Sequence, residues 1–541
     1  MLSAPPRVER GLSRRVLGAR ARSGPCAGSA RDDRGRRGAR RGSRIALAPL
    51  RGSVRRGRTR DARARRRDAP LPARRLPGPT LRRLLAGSGA GTTASLGRGV
   101  VSATPLAESL PRLETLVSPY TGIVRRVHAL LAAPDDARLI RIGATTADTS
   151  VLTGAHPEPL EGGTGGWAEQ ACEARAAAIG EAAERYSGSY VPDEAFVLAT
   201  AEELGNVAVD PERFALFTAR QHEQPGFPFK PFRCDTRVRW VRGFSLPGGA
   251  DTFLPVQLVY LTWRRVPGED AIGYATSSGL ACGPTQVEAV LAGLLELIER
   301  DAFMLTWANR LSLPRLDWTD DAELCAFEAR YLAPAGARHA VVDLSAFLGV
   351  PAAFAVAEGD GVAEPAVAVG AGCAPTIAAA VKKALAEAYA VRSWGRGLMQ
   401  EPRRYADDFR DVVTFTDHIR LYASGEVAPA AAFLTASTDR RPVGDVPPLP
   451  GATALEQIEQ LTDRLAEEGM SAYAVDVTSP DVAAAGLSVA KVVAPELCPL
   501  DVRHDSRFLG GPRLLNAAFE LGLTAEPLAL DNVNPSPHPF P

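Results

Sequence analysis

The sequence lacks the marks of several common protein classes. No uninterrupted apolar run reaches the ~18–20 residues that a membrane-spanning helix needs. The N-terminus has neither the short apolar core nor the small-residue cleavage site of a secretory signal. The cysteines (Cys26, Cys172, Cys234, Cys282, Cys325, Cys373 and Cys498) include no Cys-x-x-Cys pair, which excludes the usual zinc spacing and leaves no disulfide framework. A reducing cytoplasm is the compartment that fits. None of the histidines stands at metal-ligand spacing from another. The chain has no Gly-x-Ser-x-Gly elbow, no Gly-x-Gly-x-x-Gly after a strand and no Gly-Lys-Ser/Thr closing a phosphate loop. Serine hydrolases, dinucleotide enzymes and Walker-type sites therefore find no support.

Charge is present but unevenly placed. The 541 residues carry a formal net charge of +1, yet residues 1–100 hold 27 Arg and no Lys against five acidic residues, so the rest of the chain is acidic. Residues 1–112 have almost no aromatics and no apolar period. They cannot bury enough surface to offset their ordering entropy, and disorder is expected. A basic arm for nucleic acid, a solvated tail and a mis-assigned start site are three readings of that stretch. The next methionine after Met1 is Met304, and Val100 or Val101 would be an alternative start.

From Leu116 the texture becomes that of a mixed α/β body, expected over residues 113–541. Strand-like runs begin at Val238, Leu254 and His339, and Ala/Leu/Glu-rich periodicity predicts helices over about 168–187, 285–310, 376–396 and 454–469. Thr285 with Glu288 three residues on reads as a capping box. Residues 534–541, with proline at alternate positions, must form an extended tail poor in backbone donors.

The clearest internal signal is a repeated pentad, Glu-x-x-Glu-Arg, at Glu181/Glu184/Arg185 and again at Glu296/Glu299/Arg300. At 100° per residue, Glu288, Glu296 and Glu299 fall within about 80° of one another on their helix. Like charges at this spacing repel unless cations sit among them. Two readings follow: a solvated acidic face on each helix, or a buried carboxylate cluster holding Mg²⁺ with the arginines on phosphate. Lys383 and Glu387, one turn apart, read alone as a helix ion pair. The run Gly162–Gly166 reads alone as a flexible loop, although such loops can bind phosphate.

Taken together, Gly180-Glu181-Ala-Ala-Glu184-Arg185-Tyr186, Ser277–Gly283 leading into Glu288 and Leu294–Asp301, and the closing Pro537-His538-Pro539-Phe540-Pro541 resemble the YcaO family. The tail resembles that of its azoline-forming cyclodehydratases. The resemblance implies a YcaO-type fold, with sheets packed around long helices that line an ATP site. Glu181, Glu184, Glu288, Glu296 and Glu299 would be the carboxylates of Mg²⁺-ATP, Arg185 and Arg300 would support the phosphates, and Lys383 with Glu387 would match the family's Arg-x-x-x-Glu. Ala177, Ala281, Ala292 and Lys383 stand where many members have Ser, Ser, Gln and Arg, changes that remove hydrogen bonds at the nucleotide rather than magnesium ligands. The implied reaction is ATP-dependent closure of Cys, Ser or Thr onto the preceding amide of a ribosomal precursor peptide, as in thiazole/oxazole-modified peptide and bacteriocin maturation. The Pro541 carboxylate is the candidate base. The implied partners are a separate leader-peptide-binding, ubiquitin-activating-like protein and a downstream flavin dehydrogenase. A homodimer is the default oligomer, and neither membrane nor nucleic acid is expected. Thioamidation, amidine formation and a non-catalytic interaction role are the alternatives.

Overall fold

The computed structural model describes residues 104–148, 163–192 and 195–541. The disorder expected for residues 1–112 therefore lies outside the described residues up to residue 103. Beyond that point the boundary moves. Helix α1 (Leu106–Glu114) crosses it, and Leu113 and Leu116 are buried in one cluster with Ile179 and Ala182, so residues 106–112 belong to the folded body.

Strands β1 (Val124–Ala129), β2 (Ile140–Thr146) and β3 (Gly163–Ala168) form an antiparallel sheet in that order. The glycine run, read as a flexible loop, is here the edge strand β3; its Gly162 lies outside the described residues. The reason is steric. Helix α2 (Ala171–Ser189) presses so closely on β3 that a Cβ at Gly166 would fall 1.8 Å from the Ala174 carbonyl oxygen.

A six-stranded sheet follows. It contains β4 (Val197–Ala199), β5 (Val238–Leu246), β6 (Asp251–Pro255) and β7 (Leu280–Gly283). The strand expected from Leu254 to Leu261 ends at Pro255, where one helical turn begins. There the buried Gln257 side chain donates to the Asp270 carbonyl (2.6 Å) and accepts from the Ile272 amide (2.9 Å), which suits a turn better than a ladder. Helix α3 (Gln286–Asn309) starts at Thr285, whose hydroxyl accepts from the Glu288 amide.

Next come β8 (Arg315–Asp317), β9 (Arg338–Asp343), β10 (Ala352–Glu358), β11 (Val367–Cys373), helix α4 (Ile377–Leu398), helix α5 (Phe415–Ala423) and β12 (Arg440–Pro442). Helix α6 (Ala454–Glu467), β13 (Ala472–Asp476), β14 (Ser488–Val493) and helix α7 (Arg513–Glu520) complete the order. The second sheet runs β4-β5-β13-β14-β7 with β6 beside β5, and the third runs β11-β10-β9-β8-β12.

Helix α3 lies in the largest core cluster. Its Leu291, Leu294, Phe303 and Trp307 join Ala474, Ala490 and Val492 of one sheet to Phe354, Val369 and Ala371 of the other. A helix apolar on most sides suits such a position. Its buried Asp301 makes a two-pronged pair with Arg513 (2.8–3.0 Å) and accepts from the Cys498 amide (2.9 Å), which ties α7 to α3. No described helix is long and apolar enough to cross a membrane.

Because the Gly166 approach involves backbone on both sides, G166A should push β3 off α2 and destabilise the fold by about 3 kcal/mol, the upper range of overpacking. Urea unfolding checks this, with G163A, where a Cβ meets open space, as the neutral control.

Candidate active site

The two pentads sit on neighbouring helices, α2 and α3, and α4 closes a third side. Each of five glutamates is held by a main-chain amide. Glu181 accepts from Gly165 (3.1 Å), Glu184 from Cys282 (2.9 Å), Glu296 from Gly279 (3.3 Å), Glu299 from Cys373 (2.8 Å) and Glu387 from Ala371 (2.8 Å). Gly165, Cys282, Ala371 and Cys373 lie on β3, β7 and β11, the terminal strands of the three sheets. An edge strand has outward amides with no ladder partner, and here carboxylates take them. The helices supply the charge and the sheet edges fix where it points.

The cations lie between. Lys383 reaches Glu299 at 2.9 Å, and Arg300 stands 3.5 Å from Glu296 and 3.6 Å from Glu299. Arg185 pairs with Glu181 at 2.7 Å, nearer to solvent. Burial works against ionisation of Glu299, but Lys383 and Arg300 outweigh it and hold its carboxyl below the ordinary range. Glu184, Glu387 and Glu296 are pushed up. Burial, reinforced by Glu296 and Glu181, takes Glu184 to about 8. Burial takes Glu387 to about 7 against the pull of Arg300, and it raises Glu296, with Glu299 adding to the effect. These carboxylates feel one another, and the local cations do not neutralise them all.

Sequence reasoning missed Lys491. Its amine is buried and donates to the Thr276 and Ser278 carbonyls (2.7 and 2.6 Å), and burial lowers it to about 8 although Glu296 opposes the shift. A lone lysine in the apolar strand Ser488-Val-Ala-Lys-Val-Val was the available signal.

Glu288 is placed differently from the other glutamates. Eight residues before Glu296, it lies roughly 12 Å away along the helix axis. It accepts from the Thr285 hydroxyl (2.8 Å) and from the Thr104 amide (2.9 Å), so it serves the helix N-terminus. Among the described residues no three His, Cys, Asp or Glu side chains form a ready-made metal cage.

A cavity of about 450 Å³ opens beside the cluster, with Trp167, Ala177, Lys383 and Glu387 in its wall. Some groups of the cluster itself are incompletely satisfied. Glu299 Oε1 and Arg300 Nε and Nη1 are buried with no hydrogen-bond partner. A buried ion pair too long for a hydrogen bond, next to carboxylates whose ionisation burial opposes, fits a divalent cation with polyphosphate.

The tail is not a solvent-exposed appendage. Its prolines leave carbonyls without a ladder, and buried side chains supply the donors: Arg507 to Asn534 (2.7 Å), Trp307 to Ser536 (3.1 Å) and Tyr422 to Pro537 (2.6 Å). Phe540 is fully buried, and its ring centroid lies 4.0 Å from the Arg300 guanidinium carbon. Pro541 follows at the partly exposed end, so the chain terminus lies by the second pentad.

A carboxyl raised from 4.5 to about 8 keeps its proton in the folded protein over a range where the unfolded chain has lost it. Folding stability from Glu184 is therefore full below about 4.5 and is lost as pH rises through about 8. In chelator, the melting temperature should fall as pH rises from 5 to 8.5, and Glu184→Gln should flatten that fall by a few degrees in thermal melts across this pH range.

Comparisons with known proteins agree with this geometry. Residues 165–498, more than half of the chain, match the family described as YcaO cyclodehydratase, ATP- and Mg²⁺-binding. An uncharacterised protein of Methanothermobacter thermautotrophicus is 30% identical over 197 residues, which is 36% of this chain and 48% of the relative; the chain thus spans about half the length of that relative. Among solved structures, a heterocyclase in complex with substrate and cofactor superposes with a TM-score of 0.67 at 24% identity, covering 81% of this chain and 57% of that one. The YcaO protein from Methanopyrus kandleri bound with AMPPCP and Mg²⁺ superposes at 0.54 and 18% identity, covering 74% and 93%. At these identities the likeness is one of fold, and the match over residues 165–498 carries the rest: the chain belongs to the YcaO family.

Proposed function

We propose that this chain is an ATP-dependent cyclodehydratase that converts Cys, Ser or Thr residues of a ribosomal precursor peptide into thiazolines or oxazolines. One observation carries the reading: Glu296, Glu299 and Glu387, each held by a main-chain amide, gather round Arg300 and the half-exposed Lys383, with Glu184 near enough to Glu296 to feel its charge, beside a cavity. Nothing in a plain solvated face would require this arrangement. The M. kandleri protein of the same fold is described as bound with AMPPCP and Mg²⁺, and the first heterocyclase as bound with substrate and cofactor, which supports the same ligands here.

Bound Mg²⁺-ATP supplies the phosphoryl group that turns an amide oxygen into a leaving group. Glu181, Glu184, Glu296 and Glu299 hold the metal, with Glu288 at the helix N-terminus completing the set through the nucleotide. Arg300, Arg185 and Lys383 orient the phosphates and neutralise charge that grows during transfer, and Glu387 steadies Arg300 and Lys383. The substrate's own side chain is the nucleophile: its sulfur or oxygen bonds to the preceding carbonyl carbon and gives its proton to a base. The amide nitrogen then loses its proton as phosphate departs with the old carbonyl oxygen. Peptide and ATP thus yield azoline, ADP and phosphate.

The Pro541 carboxylate is the base in this proposal, because the buried tail delivers it to the Arg300 side of the cluster. The protein's main contribution is position. A separate leader-binding, ubiquitin-activating-like protein presents the precursor, and a flavin dehydrogenase is a downstream step.

Incubating the chain with such a partner, a Cys-rich precursor and Mg²⁺-ATP should remove about 18 Da per ring, the mass of water lost on amide activation and closure. A gain of about 16 Da would indicate thioamidation instead and overturn the assignment. Glu299→Gln should lower turnover about 100-fold, the scale of losing a preorganised electrostatic contact. Residues appended after Pro541 should abolish ring formation but not folding, and intact activity would remove the terminal carboxylate as base.

A further inference from the structure

Arg300 meets Glu296, Glu299 and the tail together. Its Nε and Nη1 find no hydrogen-bond partner, so hydrogen bonds alone leave its plane under-determined. What faces that plane is Phe540. The Phe540 ring is itself fixed, lying 5.1 Å from Phe303 and 5.9 Å from Phe354 between centroids and fully buried. A guanidinium over an aromatic face is attracted by the ring's quadrupole, and the attraction grows when the pair is desolvated.

The ring can hold this position only if the preceding residues are pinned, and they are. His538 is buried, stacks on His418 at 4.2 Å and places Nε2 2.5 Å from the Asp501 carbonyl. His418 Nδ1 lies 2.6 Å from the His538 carbonyl. Tyr422 donates to Pro537, Arg507 to Asn534, and the Asn534 amide donates to the Ala308 carbonyl at 3.0 Å. Successive tail residues are thus tied to α3, to α5 and to the segment after β14, and the chain has little freedom left when it reaches residue 540.

We infer that Phe540 is a positioning residue for Arg300: its ring is the back wall that turns the guanidinium toward nucleotide phosphate. The tail then has two separable duties, the ring acting on nucleotide binding and the terminal carboxylate on the chemical step. This rests on the proposed reading that Arg300 serves a phosphate.

Binding of Mg²⁺-AMPPNP by calorimetry, with steady-state KM for ATP and kcat, tests it in the full chain. Phe540→Leu keeps bulk and loses the aromatic face, and Phe540→Tyr keeps the face. F540L should weaken analogue binding about tenfold and raise KM for ATP, with kcat changed less than threefold; F540Y should bind within about twofold of the unaltered protein. Should F540L not fold, a chain ending at Pro539 removes the ring, leaves His538 in place and should show the same loss of affinity. Equal binding by the unaltered protein and by F540L or the shortened chain overturns the inference. So does F540Y as defective as F540L, which would mark a merely structural ring. No binding by the unaltered protein would instead overturn the ATP reading itself.

Discussion

The site depends on the free edges of three sheets. An outward amide on a terminal strand costs free energy if it is buried without an acceptor. Here Gly165, Cys282, Ala371 and Cys373 each give that amide to a glutamate from a neighbouring helix. The hydrogen bond is charge-assisted and fixes one carboxylate oxygen, and each such contact contributes about 1.5–3 kcal/mol when the acceptor is ionised. The positions of the carboxylates therefore follow strand register. A slip by one residue along β11 would replace Ala371 and Cys373 with inward-pointing amides and break two anchors at once.

Anchoring alone does not make so many carboxylates comfortable. Glu299 is ionised because Lys383 and Arg300 attend it, whereas Glu184 and Glu387 are pushed up to about 8 and about 7. On the proposed reading, a divalent cation would displace the protons these carboxylates keep, which would couple its affinity to pH. A fold selected for stability alone would place apolar side chains here. Keeping the glutamates sacrifices stability, and it leaves Glu299 Oε1 and Arg300 Nε and Nη1 without hydrogen bonds.

Much of this was legible in the sequence. The helices expected over 168–187, 285–310, 376–396 and 454–469 are α2, α3, α4 and α6, because apolar periodicity is a local signal, joined by a Thr cap on the last three. The pentads were visible too. What spacing could not decide was whether the glutamates faced water or one another, since the deciding partners are amides far away in sequence: Cys282 lies 98 positions from Glu184, and Cys373 lies 74 from Glu299. The glycine run misled because glycine signals either a loop or a close approach, and only the position of α2 tells them apart. The run from Leu254 looked like one strand because its composition says nothing of the buried Gln257 that ends it. Glu288 carries two signals, a capping-box partner and a ligand; the structure shows half of the box, with the Thr285 hydroxyl accepting from the Glu288 amide, while the Glu288 carboxylate takes the Thr285 hydroxyl and the Thr104 amide.

The tail shows how a local deficit becomes a long-range specification. Alternate prolines remove the donors a strand needs, so residues 534–541 cannot pair with any sheet. Their carbonyls remain strong acceptors, and the body meets them with side chains from α3, α5 and the segment after β14. Those donors come from separate elements, so they stand in the right places only after both large sheets have closed around α3. The tail can then enter, and its last aromatic ring completes a core cluster with Phe303 and Phe354. Its arrival at Arg300 is thus conditional on the assembly of everything else. Contacts that exist only in the finished fold thus decide where the Phe540 ring meets the site.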